Sequence, residues 1–185
     1  MWSVFDLVDG YHQMPLKPEH RYITCMSTPI GTMQSTVQVM GLKNGNTQFQ
    51  RMIEWTVKDL RDYVDPFVDD LAAGTRASSE DELIHKHYED VRRLLHVLAQ
   101  ARLVCNPHKS RFFMREVEYC GHVLSEGRRR PAPGKLAAVQ LWELPRVVTE
   151  LRGFLGVTNM YSEYIPHFAQ VAAPMQELLK LDRHE

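Results

Sequence analysis

No stretch of about 18 consecutive apolar residues occurs in this 185-residue chain, which excludes a membrane-spanning helix. The first residues lack a basic cluster followed by an apolar run, so no secretory signal is read there either. Cysteine is scarce. Cys25, Cys105 and Cys120 are odd in number, widely spaced and without a CxxC pair, which argues against a disulfide framework or a cysteine-built zinc site. We read them as reduced and buried, in a cytosolic or nuclear setting with no membrane partner. No glycine-rich phosphate loop and no nucleophile elbow is present, nor any internal repeat or low-complexity tract. Net charge is small, at −1, which argues against a surface made wholly for phosphate backbones.

What is present is enough apolar residue, 44%, for the core of one domain, with or without an appendage. The charge is unevenly laid out. Residues 54–90 hold eleven acids and four bases, whereas residues 108–135 hold seven bases and three acids; the first stretch suits cations and the second phosphates, although solvated faces would carry the same charges. Residues 3–8 alternate as a strand running into Asp9-Gly10, a turn pair. A chain that starts almost inside a strand is expected to lack an earlier part. Two β-rich runs, 22–28 and 33–39, flank Pro29-Ile30-Gly31 as a hairpin, and a helix is expected over 44–60. Residues 63–75 read as two short strands around Asp69-Asp70. In the next helix Ser79 and Glu82 form a capping box, and Ile84, Tyr88, Val91, Leu95 and Leu98 repeat at helical spacing. Residues 109–114 and 118–124 look like an antiparallel pair, residues 127–134 like a basic linker, and residues 135–142, 149–161 and 174–181 like helices. Met14, Met26, Met33 and Met40 are expected to fill gaps around the first hairpin.

Paired aspartates at a hairpin tip are explained by turn chemistry alone. Asp6 shifts the balance, because it lies inside the apolar strand Val4-Phe5-Asp6-Leu7-Val8, where an acid is costly unless paired or bound to a metal. If that strand lies beside the Asp69-Asp70 hairpin, three carboxylates converge and repel, and divalent cations would relieve them. Such a cluster fits two-metal phosphoryl transfer. His85 and His87, two apart on a helix, point to different faces and make a poor zinc pair; His122 reads as a core or hairpin histidine.

The ordered blocks carry a resemblance. Phe5-Asp6-Leu7-Val8-Asp9-Gly10-Tyr11-His12-Gln13, Thr28-Pro29-Ile30-Gly31, Met40-Gly41-Leu42-Lys43-Asn44 through Phe49-Gln50-Arg51, Phe67-Val68-Asp69-Asp70, Cys105-Asn106-Pro107-His108-Lys109 with Phe112-Phe113, and Glu118-Tyr119-Cys120-Gly121-His122 occur in family order and spacing. Leu151-Arg152-Gly153-Phe154-Leu155-Gly156 and Tyr164-Ile165-Pro166-His167-Phe168 follow. Together they resemble the reverse transcriptases of long-terminal-repeat retrotransposons of the gypsy type. The chain departs from that pattern in having Val39-Met40-Gly41 for Pro-Phe-Gly, Asn46 for a proline, and Asp65-Pro66 for apolar residues; that proline limits its strand to an edge or a short run.

The resemblance implies an α+β fold: an antiparallel palm sheet with packed helices (residues 1–13 and 46–124), a partial fingers hairpin (14–45) and a helical thumb or connection segment (125–185). It implies RNA-directed DNA polymerisation, with Asp6, Asp69 and Asp70 as catalytic, metal-binding acids for two Mg²⁺ ions, or Mn²⁺. Tyr11 would exclude a ribose 2′-hydroxyl, Gly41 would let the backbone approach the templating pair, and Gln50 and Lys109 would lie near the incoming nucleotide. Tyr119, Gly121 and His122 correspond to the primer grip. Arg128, Arg129 and Arg130 just after it would contact phosphates, their alternative being a solvated linker. Implied partners are an RNA or DNA template with primer, and dNTPs. The family's basic fingers residues, which precede the first catalytic strand, and its ribonuclease H and integrase regions are not in this chain, which is therefore expected to bind primer-template weakly and polymerise poorly alone. The competing expectation is an inactive polymerase relic that binds nucleic acid or protein.

Overall fold

A computed structural model describes residues 1–181. In order, the chain forms strand β1 (Trp2–Asp6), strands β2 (Met26–Thr28) and β3 (Gly31–Met33), helix α1 (Gly45–Thr56), strands β4 (Val64–Phe67) and β5 (Asp70–Gly74), and helix α2 (Glu80–Gln100). There follow strands β6 (Arg111–Met114), β7 (Val117–Tyr119), β8 (His122–Ser125) and β9 (Arg128–Pro131), then helices α3 (Pro133–Gln140), α4 (Val148–Asn159) and α5 (Phe168–Leu181). Short 3-10 segments fall at Gly10–Gln13, Pro18–Thr24, Lys58–Leu60 and Ser162–Tyr164. The fold is α+β.

The chain divides into two compact units: residues 1–120 with 124–127, and residues 121–123 with those from Arg128 onward. The first is built on a four-stranded sheet of order β4-β5-β1-β6, in which β1 runs antiparallel to both β5 and β6. Strand β1 alternates half-buried and buried positions, the period-two signature of one face on a core. Alternate residues Phe5, Leu7, Leu71 and Ala73 share one buried cluster with Phe49 and Ile53 of α1 and Leu94 and Leu98 of α2. At about 1.5–3 kcal/mol for each fully buried large side chain, this cluster holds the sheet against the two helices. Pro66 lies in β4, at the edge of the sheet, where its missing N–H costs no ladder bond.

Several expectations are corrected. The phase of α2 differs: its buried face is Leu83, His87, Val91, Leu94 and Leu98, while Ile84, Tyr88 and Leu95 are exposed. The cause is His87, buried because both ring nitrogens are partnered, by Ser3 Oγ and by Thr75 Oγ1, each at 2.7 Å. The Ser79 cap forms, its hydroxyl accepting from Glu82 N at 3.3 Å, but Glu82 reaches back to Ser78 N rather than to Ser79. Strand β6 does not pair with the run after it but with β1, while β7, β8 and β9 form a three-stranded sheet where the chain passes from the first unit to the second. The basic stretch expected as a linker is therefore strand β9, with its three arginines exposed. The first hairpin is short, because residues 18–24 coil into a 3-10 helix. Met26, Met33 and Met40 are exposed instead of filling gaps; Met14 packs on the core. The three cysteines form no disulfide, but Cys25 is exposed and Cys105 and Cys120 only half-buried.

In the second unit, α3 opens on Pro133, a residue whose fixed φ and absent N–H suit a first helical turn. Trp142 meets Phe154 of α4 edge-on, with ring centroids 6.0 Å apart. Helix α5 starts six residues before the expected Pro174 and runs through that proline.

Candidate active site

The antiparallel register sets Asp6 of β1 opposite Asp70 of β5. Beyond the last rung, Leu7 N donates to Asp69 O at 2.9 Å, so the turn carrying Asp69 is tied to the strand carrying Asp6. That turn requires Val68 at φ 54, a costly conformation for a β-branched residue. The amide of Gln50 holds it: Val68 N donates to Gln50 Oε1 at 2.6 Å, and Gln50 Nε2 donates to Pro66 O at 3.0 Å. Two backbone groups that the tight turn leaves unpaired are thus satisfied by one helix side chain.

The backbone of Asp6 is clamped from the loop before β6, with Asn106 N donating to Asp6 O at 2.7 Å and Ser110 Oγ accepting from Asp6 N at 3.4 Å. Lys109 Nζ lies 3.5 Å from Asp6 Oδ1. Burial pushes the Asp70 carboxyl above its usual range, the negative charges of Asp69 and Asp6 push it further, and Lys109 opposes them. Asp70 therefore feels the charge of both other acids. Among the described residues no group of three or more histidine, cysteine, aspartate or glutamate side chains is arranged to hold a metal ion.

On leaving β1 the chain turns through Asp9, at φ 45, and Gly10. A Cβ on Gly10 would lie 3.0 Å from Phe49 Cζ and 3.1 Å from Asp69 Cβ, so the turn passes closely between α1 and the Asp69 turn because it has no side chain there. Tyr11 follows, half-buried. Its ring tilts 46° against Phe49 at 5.2 Å, and its hydroxyl donates to Asn46 Oδ1 at 2.6 Å. Gln13 latches the turn to the loop before Asn106 by accepting from Val104 N at 2.6 Å and donating to Val104 O at 3.1 Å. Gly41 stands at φ 90 with open space where a side chain would be; conformation, not crowding, calls for glycine here. Neither atom of the buried Gln38 amide has a partner among the described residues.

Of the residues expected to contact nucleic acid, Tyr119 belongs to the first unit, is buried, and donates its hydroxyl to Asp65 O at 2.8 Å. Burial pushes that phenol upward. In the second unit Gly121, at φ 78, accepts from the Tyr161 hydroxyl at 3.4 Å, and the buried His122 lies 3.1 Å through Nδ1 from the Tyr164 hydroxyl. Burial lowers the His122 imidazole, with Arg129 adding to the effect and Glu163 opposing it. Arg129 pairs with Glu163 at 3.6 Å, and Arg128 and Arg130 are exposed on β9. The structure thus brings together Asp6, Asp69, Asp70, Lys109 and Gln50 at one end of the sheet, with Tyr11 on the adjoining turn. The supporting roles of Asn46, Gln13 and Ser110 were not legible, since each acts across 35 or more residues.

Comparison with known proteins bears on the family and the fold. The family model described as reverse transcriptase (RNA-dependent DNA polymerase) matches residues 1–124. The retrovirus-related Pol polyprotein from transposon opus of Drosophila melanogaster is 31% identical over 183 residues, covering 97% of this chain and 17% of the polyprotein. That from transposon gypsy of the same fly is also 31% identical, with the same coverage of each chain. The chain therefore spans about a sixth of the length of these curated relatives. Among solved structures, the foamy viral protease-reverse transcriptase dRH in complex with double-stranded DNA superposes with a TM-score of 0.82 at 20% identity, over 97% of this chain and 31% of that one. The foamy viral protease-reverse transcriptase in complex with RNA/DNA hybrid gives 0.79 at 20% identity, over 97% and 24%.

Proposed function

Because this chain belongs to the reverse transcriptase (RNA-dependent DNA polymerase) family, we propose that it carries the nucleotidyl-transfer centre of an RNA-directed DNA polymerase, with Asp6, Asp69 and Asp70 as its metal-holding acids. The observation that carries this reading is the register pairing Asp6 with Asp70 beside Asp69, together with the raised carboxyl of Asp70. Mutual repulsion of that kind is relieved by a divalent cation. Bound there, two Mg²⁺ ions, or Mn²⁺ in their place, would favour the alkoxide form of the primer 3′-hydroxyl and neutralise charge on the departing pyrophosphate.

In this reading the primer 3′-oxygen attacks the α-phosphorus of a dNTP, its proton is lost, and the bond to the bridging oxygen of the pyrophosphate breaks. The chain's own residues hold the reactants. Gln50 fixes the turn that bears Asp69, Lys109 supplies a positive charge next to Asp6, and Tyr11 lies beneath the incoming sugar and excludes a 2′-hydroxyl. Gly41 belongs to the loop beside the templating pair. Gly121, His122 and the arginines of β9 meet the primer-template backbone. The corresponding division is palm for residues 1–13 and 46–124, fingers for 14–45, and thumb or connection for 125–185. Among the described residues no helix is long and apolar enough to cross a membrane.

The experiment is a titration of dNTP and Mg²⁺ into the chain bound to an RNA template carrying a DNA primer that ends in a dideoxynucleotide. Metal-dependent dNTP binding, lost in Asp6→Asn, is expected. Hybrid binding with no metal-dependent nucleotide binding selects the relic reading instead.

A further inference from the structure

Tyr11 is held at two points. Phe49 meets the ring and Asn46 meets the hydroxyl. Asn46 is the second residue of α1, and that helix start has little freedom: Gly45 is buried, and a Cβ on it would lie 2.7 Å from the Gln38 amide nitrogen. Tyr11, Gln38, Gly41, Gly45 and Asn46 line a small cavity of about 220 Å³. One fixed edge leaves a phenol ring free to swing about its Cα–Cβ bond, whereas a fixed edge and a fixed hydroxyl define its plane. Asn46 supplies the second point from an anchored position.

We infer that Asn46 is a positioning residue for nucleotide-sugar selection: by accepting the Tyr11 hydroxyl it holds the ring where a ribose 2′-hydroxyl would have to go, and so sets the preference for deoxyribose. The inference rests on the reading of Tyr11 given above and adds the residue that makes its ring a barrier. Phe49 alone does not define the ring, because a tilted contact constrains distance more than rotation.

The test uses the chain on an RNA template whose DNA primer ends in a dideoxynucleotide, so that no chemistry follows binding. Fluorescent dATP is displaced by dATP or by ATP in Mg²⁺, and the ratio of the two affinities is the readout. The parent is expected to prefer dATP, and Tyr11→Ala to abolish the preference. Asn46→Ala and the isosteric Tyr11→Phe should each reduce it roughly three- to tenfold, the scale of one neutral hydrogen bond, and the double variant should lose no more than one of them. Asn46→Asp, which keeps an acceptor, should retain the parental ratio. A parental ratio in Asn46→Ala, independent addition of the two losses, or equal weakening of dATP and ATP overturns the inference while leaving the Tyr11 reading intact. A parent without preference, or a Tyr11→Ala variant that keeps it, overturns that reading and this inference with it.

Discussion

The two ends of the β1–β5 strand pair both carry polar residues, and they treat them in opposite ways. At one end the charges of Asp69 and Asp6 press on Asp70, with Lys109 as the nearby positive charge. At the other, Ser3, His87, Thr75 and Asp90 form a closed chain: Ser3 Oγ to His87 Nε2, His87 Nδ1 to Thr75 Oγ1, and Thr75 Oγ1 donating to Asp90 Oδ2, each at 2.7 Å. Because Thr75 gives its proton to the carboxylate, it must accept from Nδ1–H, which leaves Nε2 to accept from Ser3. Ser3 in turn accepts from Phe113 N at 3.1 Å. Every donor in this buried chain has an acceptor, so it fastens β1, β5, β6 and α2 together. Polar groups that satisfy one another build structure; those that do not are left for a ligand.

The largest effect that would break this contrast lies at the acidic end. Asp69→Asn is expected to lower primer extension, in a form of the protein that extends primers, by on the order of 100-fold or more, while thermal unfolding stays at the parental temperature. A large loss of stability would mean that Asp69 serves the fold rather than the chemistry.

At the other end the expected outcome is reversed. His87→Leu takes away the acceptor of the Ser3 hydroxyl proton and the N–H that Thr75 Oγ1 accepts, both in a buried setting, which should cost about 2–4 kcal/mol in denaturant unfolding. Metal-dependent nucleotide binding by the protein that remains folded should be parental, and a loss there would show the two ends to be coupled.

Acid sharpens the same comparison. Burial lowers the His87 imidazole from 6.5 to about 4, with the N-terminal ammonium adding and Asp90 opposing. The unfolded chain therefore takes up a proton near pH 6.5 that the folded chain refuses until about pH 4. Stability from this group is complete above pH 6.5 and is lost as pH falls toward 4, amounting to up to about 3 kcal/mol. Unfolding measured from pH 7.5 to 4 should show a slope that His87→Leu flattens; equal slopes would remove His87 as its source.

The smallest change tests the support under the acids. Gln50→Ala unpairs Val68 N and Pro66 O at a partly exposed turn, so a loss of about 1–2 kcal/mol is expected, with a drop in extension that Gln50→Glu only partly restores, since Glu keeps the acceptor and loses the donor. An unchanged extension rate would show that the turn keeps its shape without Gln50.

How much of this was legible depended on distance along the chain. The Asp69-Asp70 turn and the Ser79 cap are local patterns, and the turn formed as read; the cap formed in its forward half. The pairing of Asp6 with Asp70 lies beyond spacing rules, since hydrophobic alternation tells that a strand exists but not which strand is its neighbour. The same limit misplaced β6, whose partner is at the other end of the first unit rather than next in sequence. In α2 the helical period was visible and its phase was not, because apolarity favours Ile84 and Tyr88 over His87, and nothing local announces a histidine satisfied on both nitrogens by residues 84 and 12 positions away. Arg128, Arg129 and Arg130 looked like a linker because charge masks strand formation where three consecutive side chains are exposed.

One turn of α1 holds Asn46, Phe49 and Gln50, at positions i, i+3 and i+4 of a single helical face. The first two touch Tyr11 and the third brackets the Asp69 turn. Rotating or sliding this helix therefore displaces Tyr11 and the turn that bears Asp69 in the same motion. On the roles proposed for Tyr11 and Asp69, sugar discrimination and catalytic rate would be linked traits in evolutionary terms: a lineage drifting toward looser discrimination by shifting α1 would lose rate along the way, and selection on rate alone would keep discrimination in place.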